Sequence, residues 1–381
     1  MHGLLPVDYA GGSLADVLPS IAASLGVSMP PPRRAAFDLE PAHSAVVALI
    51  DGLGYDQLER RGGHAPWLRA QRAGTTRIIC GHPSTTATSM GSFGTGLLPG
   101  THGLLGYEVL MPQADRLVNE LSWKDGPVPE EWQPHDTVLE LVAAAGIEVV
   151  SIGPAHFEGS GLSRAALRGG RFIAAGTWPE CIDAVLGVLA SGQRSLIYAY
   201  WAQVDTVGHV FGPESWEWGA EVEAVDRELA RLAASLPSGC SLSITADHGM
   251  MLVPHETRVD LAYEPALTRG IRHLGGEPRA RQLYCEPGAA ADVLAAWQAA
   301  LGERAVVLTR EDALSRNWFG PVEPDNLPRI GDILAVMGPG FSVVDSTRDN
   351  ANVLALKGLH GSITPEELGI PFVHVAEGSR G

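Results

Sequence analysis

Four short segments of this 381-residue chain carry side chains suited to holding a divalent cation. Asp51 closes an apolar run over 45–50. Asp205 and His209 stand four apart within residues 201–209, a spacing that places both on one face of a helix. Asp247 and His248 are adjacent in Thr245-Ala246-Asp247-His248-Gly249, and His360 lies in Gly358-Leu359-His360-Gly361. Carboxylate oxygen and imidazole nitrogen suit Zn²⁺ and similar first-row ions. Six such residues could hold two ions about 3.5–4 Å apart, the separation that clamps the attacking and leaving oxygens of a phosphoryl group. Singly, each piece is ordinary, because an Asp ending a strand is usually a turn or cap residue. With thirteen histidines in the chain, some fall near aspartates by chance. The order of the set, with each member at a strand end, is what points to chemistry.

A nucleophile is still needed, and the segment 82–96 offers a run of small hydroxyl residues: Ser84, Thr85, Thr86, Thr88 and Ser89. Hydroxyls on a turn into a helix sit beside free backbone N–H groups and the positive helix end. A bound cation would lower the hydroxyl pKa. Without the ligand set, an ordinary helix cap would be the better reading.

These groups need a scaffold that gathers strand ends. The apolar run at 45–50 reads as a strand buried on both faces, and 148–152, 195–200 and 241–246 are of the same kind. Helical patterns at 137–145, 179–190 and 215–235 alternate with them. That alternation predicts an α/β fold with a mainly parallel central sheet sandwiched by helices. Ligands then bind beyond the carboxyl ends of the strands, which puts Asp51, the segment after Tyr200 and Asp247-His248 on one rim. Residues 1–40 read as an N-terminal arm and connector, with a short amphipathic helix over 14–25. Residues 41–258 and 337–381 read as the catalytic core. Between them, 259–336 reads as a small inserted α+β subdomain, with strands at 281–285, 305–308 and 332–337 and a helix at 289–301.

Composition narrows the partners. Lys plus Arg total 27 against 44 Asp plus Glu, a formal net charge of −17, which repels nucleic acid polymers and anionic membranes. Cys80, Cys181, Cys240 and Cys285 are scattered, so neither a disulfide framework nor a thiolate zinc site is expected. The start lacks a basic, apolar leader and carries Asp8 and Asp16; with no apolar run of membrane-spanning length, a cytoplasmic protein is expected.

The order Asp-Gly, hydroxyl cluster, Thr-Gly-Leu-x-Pro-x-x-His-Gly (95–103), Asp-x-x-x-His, Asp-His-Gly and late His-Gly resembles the alkaline phosphatase superfamily, and within it the type I phosphodiesterase / nucleotide pyrophosphatase family. The resemblance runs from Asp51 to His360. It implies that Asp205, His209 and His360 bind one metal and that Asp51, Asp247 and His248 bind the other, with zinc the implied ion and manganese the alternative. The family's nucleophile precedes the Thr of the Thr-Gly-Leu segment by nine residues, which selects Thr86, with Thr85 as the fallback. Thr86 would form a phospho-threonine intermediate, with the Ala87 N–H stabilising developing charge. The expected substrate is a small-molecule phosphoester or nucleotide. Two departures follow. Where the family has an Asn that donates to a non-bridging oxygen, the count reaches Tyr107, with Asn119 nearby as a substitute. No clear counterpart of the base-stacking slot exists, though Trp123, Trp201 and Trp318 are candidates. Cys80-Gly81-His82-Pro83-Ser84 does not fit the sulfatase pattern. The lack of an Arg close after Thr86 favours diesters over monoesters, with phosphomonoesterase, phosphonate hydrolase and a non-catalytic binding protein as the alternatives.

Overall fold

Seven consecutive residues, Ser44–Ile50, form a strand buried along its whole length. Its β-branched and small apolar side chains suit a position covered on both faces. In the computed structural model, which describes residues 4–375, this strand lies at the centre of a seven-stranded sheet. The order across the sheet is Thr75–Ile79, Gly369–Val375, Cys240–Thr245, Ser44–Ile50, Ser195–Trp201, Glu148–Gly153 and Arg171–Ala174. The last five run parallel. Gly369–Val375 is antiparallel to both neighbours, so Thr75–Ile79 points the same way as the parallel set. The expected fold class is therefore the observed one. The antiparallel strand escaped the sequence reading because Pro371 sits within it, and proline normally argues against an interior strand.

The helices Val138–Ala144 and Trp178–Leu189 pack against this sheet, and Trp216–Ala234 packs on Trp178–Leu189. The expected amphipathic helix is observed as a single 3₁₀ turn, Leu14–Asp16, followed by the helix Val17–Ser24. It has little solvent face, since Leu14, Val17, Leu18 and Ile21 all join the main core.

A second, four-stranded antiparallel sheet is built from Ile271–Glu277, Ala280–Cys285, Ile333–Met337 and Ala305–Thr309, with the helix Ala290–Leu301 against it. Its side chains form a separate apolar cluster around Leu283, Trp297, Ile333 and Ala335. The chain enters and leaves this region through a parallel strand pair, Arg258–Asp260 with Ser342–Val344. Residues 1–3 of the expected arm and 376–381 of the expected core lie outside the described residues. Among the described residues, no helix is long and apolar enough to cross a membrane.

Candidate active site

Because the central strands run parallel, their carboxyl ends share one rim, and Ser44–Ile50, Ser195–Trp201 and Cys240–Thr245 lead into ligand-type side chains there. Asp51 follows Ile50, and its N–H continues the ladder to the Trp201 carbonyl at 2.9 Å. Asp205 and His209 project from the helix Gln203–Phe211, which begins just beyond the strand Ser195–Trp201. Gly52 makes that approach possible: at φ +73°, an added Cβ would sit 2.8 Å from the Asp205 Cα. Asp247 and His248 follow the strand Cys240–Thr245, and His360 follows the short strand Gly358–Leu359.

These side chains converge. Ligand atoms of Asp51, Asp247 and His248 lie within 4.8 Å of one another, and so do those of Asp205, His248 and His360. His248 thus stands between the two halves. His209 Nε2 lies 3.4 Å from Asp205 Oδ2, and its ring centroid is 5.1 Å from that of His360.

The hydrogen bonds orient this group in one sense. Each histidine uses Nδ1 against a backbone carbonyl: His209 to Gly358 at 2.7 Å, His248 to Gly249 at 3.0 Å and His360 to Ser84 at 2.9 Å. That assigns the proton to Nδ1 and leaves the Nε2 lone pair facing the cluster. The carboxylates are oriented in a similar way. Asp247 Oδ1 accepts from the Gly52 and His248 N–H groups, and Asp51 Oδ2 accepts from the Tyr200 hydroxyl. Asp51 Oδ1, Asp205 Oδ1 and Asp247 Oδ2 are buried without a hydrogen-bond partner. His248 Nε2 lies 3.6 Å from Asp51 Oδ1 and 3.4 Å from Asp247 Oδ2, so acceptors face acceptors. Burial, then repulsion from Asp247 and Asp205, holds the Asp51 carboxyl well above the usual carboxylate range. Burial, then neighbouring His248 and His209, pushes His360 well below the usual histidine value. Unpartnered carboxylate oxygens and neutral imidazole lone pairs sharing one space are the donor set of divalent cation sites.

Thr86 opens the helix Thr86–Thr95, whose N-terminus carries no side-chain cap. The first-turn N–H groups, Ala87 among them, are therefore available to an anion. Thr86 Oγ1 lies 3.2 Å from His248 Nε2. The Ser89 hydroxyl donates to the Asp247 carbonyl at 2.7 Å and ties this helix to the rim. Thr85, the fallback, is buried beside Glu277.

Tyr107 lies in the loop before the strand Glu108–Met111, which pairs with Arg116–Asn119 so that Asn119 stands opposite Glu108. Asn119 Oδ1 accepts from the Leu121 and Ser122 N–H groups at 3.1 and 2.7 Å, so this oxygen is engaged by the backbone beyond the hairpin. Burial raises the Tyr107 pKa, and the charges of Glu108 and Glu277 raise it further. Trp123, Trp201 and Trp318 are all buried, and Trp201 Nε1 donates to Glu221 at 2.8 Å. They pack rather than present a stacking face.

Glu277, at the end of the strand Ile271–Glu277, was missed. Its Oε2 lies 3.4 Å from His360 Nδ1, and its Oε1 is buried without a partner. A Gly-Glu-Pro turn in a region without motifs carries no signal that this carboxylate reaches the rim.

The profile of the type I phosphodiesterase / nucleotide pyrophosphatase family matches residues 45–363. The chain belongs to that family, and so to the alkaline phosphatase superfamily. Among solved structures, human ectonucleotide pyrophosphatase/phosphodiesterase 5 superposes with a TM-score of 0.71 at 19% identity, covering 88% of both chains. Phosphonoacetate hydrolase from Sinorhizobium meliloti 1021, in complex with phosphonoacetate, superposes at 0.68 with 20% identity, covering 87% of this chain and 89% of that one. Another similar structure is an inactive form of murine ectonucleotide pyrophosphatase/phosphodiesterase 5 in complex with AMP. Family member 7 of the ectonucleotide pyrophosphatase/phosphodiesterases from Rattus norvegicus is 36% identical over 81 residues. That match spans 20% of this chain and 18% of the relative.

Proposed function

We propose that this protein is a two-metal phosphoester hydrolase of its family, acting on phosphodiesters or nucleotide pyrophosphate bonds through Thr86. One observation carries the reading: three carboxylates with unpartnered oxygens and three histidines with inward Nε2 atoms surround a threonine on an uncapped helix end. Asp51, Asp247 and His248 would hold one ion, and Asp205, His209 and His360 the other, with zinc favoured by the donors and manganese the alternative. Such ions, when bound, supply the positive charge that offsets phosphoryl oxygens and lowers the pKa of a nearby hydroxyl.

The chain's own residues do the rest. Thr86 Oγ1 attacks phosphorus in line, the bond to the leaving oxygen breaks, and the phosphoryl group is esterified to Thr86. Water then attacks the phospho-threonine and releases the threonine hydroxyl. The Ala87 N–H at the helix end and the Tyr107 O–H receive non-bridging oxygens as their charge grows. Arg279, in the turn after Glu277, and Arg281, on the strand that follows, are both engaged by carboxylates, Glu367 and Asp349. Diesters, which carry one fewer charge than monoesters, fit this arrangement.

The test is turnover of bis(p-nitrophenyl) phosphate, p-nitrophenyl thymidine monophosphate, p-nitrophenyl phosphate and phosphonoacetate by zinc- or manganese-loaded protein. Diesters are expected to be cleaved fastest, with Thr86→Ala inactive and Thr86→Ser partly active. Hydrolysis of none of the four, or a fully active Thr86→Ala, would refute the assignment.

A further inference from the structure

The inserted sheet reaches the active-site rim at the tip of the hairpin Ile271–Glu277 / Ala280–Cys285. Glu277 pairs with Ala280, so Pro278 and Arg279 form a two-residue turn. That turn is held by the core. The fully buried Arg279 guanidinium makes two 2.6 Å bonds to Glu367. The same side chain donates to the Gly338 carbonyl, and the Arg279 carbonyl accepts from the Met337 N–H at 2.9 Å. The Pro278 carbonyl accepts from the Val343 N–H at 2.8 Å. A charged side chain this buried and this fully bonded gives the tip little freedom.

With the tip fixed, Glu277 lies against the loop that carries His360. Its Oε2 is 3.4 Å from His360 Nδ1, the nitrogen that also faces the Ser84 carbonyl at 2.9 Å. Thr85, next to Thr86, lies beside this carboxyl group. The space Glu277 fills exists because residue 361 is glycine: at φ +124°, an added Cβ would lie 2.7 Å from both Glu277 Cγ and Cδ. Gly361 in turn pairs with Ser84, through its carbonyl at 3.2 Å and its N–H to Ser84 Oγ at 3.1 Å. Glu277, Ser84 and His360 thus form one packed unit linking the insert, the nucleophile loop and a candidate ligand.

We propose that Glu277 is a positioning residue through which the inserted sheet sets the divalent-cation affinity of the His360 side of the site. A carboxylate beside the Nδ1–H of a ligating imidazole fixes the ring and makes the opposite nitrogen a better donor. The proposal rests on the two-ion reading of the site, and it assigns the insert a part in the centre itself.

The experiment measures stepwise Zn²⁺ and Mn²⁺ binding to the chelator-stripped protein, by calorimetry and by competition with a chromophoric chelator. Wild type is compared with Glu277→Gln and Glu277→Ala. Both variants are expected to weaken one of the two binding steps by roughly 10–100-fold and to leave the other near its wild-type value. Gln keeps the shape of Glu, so a purely packing role predicts full rescue by Gln. That rescue, or unchanged affinities in both variants, overturns the proposal. Far-UV circular dichroism of the stripped proteins checks folding, and Glu277→Gln decides the matter if Glu277→Ala does not fold. Failure of the hydrolase reading has a different signature: wild type binds two ions and cleaves no ester, while the Glu277 variants still lose affinity.

Discussion

Glu120 offers a perturbation whose size can be worked from the structure. Its carboxylate is fully buried where the hairpin leaves Tyr107: Oε2 accepts from the Leu105 and Gly106 N–H groups at 2.8 and 3.2 Å, and Oε1 from the Trp132 indole at 2.7 Å. The Glu120 N–H also donates to the Tyr107 carbonyl at 2.9 Å, so this residue holds the Tyr107 loop from both sides. Burial outweighs these bonds and the nearby Arg329, lifting the carboxyl from 4.5 to about 7. A displacement of that size corresponds to about 3 kcal/mol. Between pH 4.5 and 7 the unfolded chain releases this proton while the folded one keeps it, so stability falls as pH rises across that window and is level above it. Glu120→Gln removes the titrating group and with it the slope, although its NH₂ must face one of three N–H donors and lowers stability by a constant amount. From pH 5 to pH 8 the wild type should therefore lose up to about 3 kcal/mol relative to the variant. With roughly 2 cal/mol/K of unfolding entropy per residue, a chain of 381 residues would show that gap as about 4 °C in Tm. Thermal and urea unfolding of both proteins at pH 5 and pH 8 is the assay. A difference that stays constant with pH, or a wild type that gains on the variant as pH rises, would refute the reasoning.

Three further outcomes are expected. Tyr107→Phe removes one donor to the phosphoryl oxygens and should lower kcat roughly 10²-fold with a smaller change in KM; an unchanged kcat would place Tyr107 in the pocket wall only. Adding Zn²⁺ to stripped protein should raise Tm, since an ion at 100 times its Kd contributes about 2.7 kcal/mol per site; Asp51→Asn should lose much of that response, and equal shifts in both proteins would count against Asp51 as a ligand. Arg279→Met leaves Glu367 buried without its partner and should destabilise the fold by roughly 3–5 kcal/mol, read by urea unfolding; a loss below about 1 kcal/mol would show that the hairpin tip is anchored in another way.

The residues that carry chemistry were legible because their spacing is local. Asp205 and His209 share a helical face by periodicity alone, and Asp247-His248 follows a strand that its apolar run makes plain. A buried parallel sheet must gather its strand ends on one rim, so the fold class and the meeting of Asp51, Asp205 and Asp247 followed from sequence patterns. What stayed hidden depends on contacts between residues distant in the chain. Counting could not choose between Thr85 and Thr86 without the resemblance; in the structure Thr86 Oγ1 faces His248 Nε2, and Thr85 is buried. Asn119 was a candidate contact, and the hairpin sets it opposite Glu108 with its side-chain oxygen on the Leu121 and Ser122 N–H groups. Glu277 had no signature, because its place against His360 is decided by the Arg279–Glu367 pair and by the room left at Gly361. Local sequence determined the types of the candidate ligands and the elements that bear them. Only tertiary packing, which sets distances between residues far apart in sequence, decided which side chain stands behind each candidate ligand.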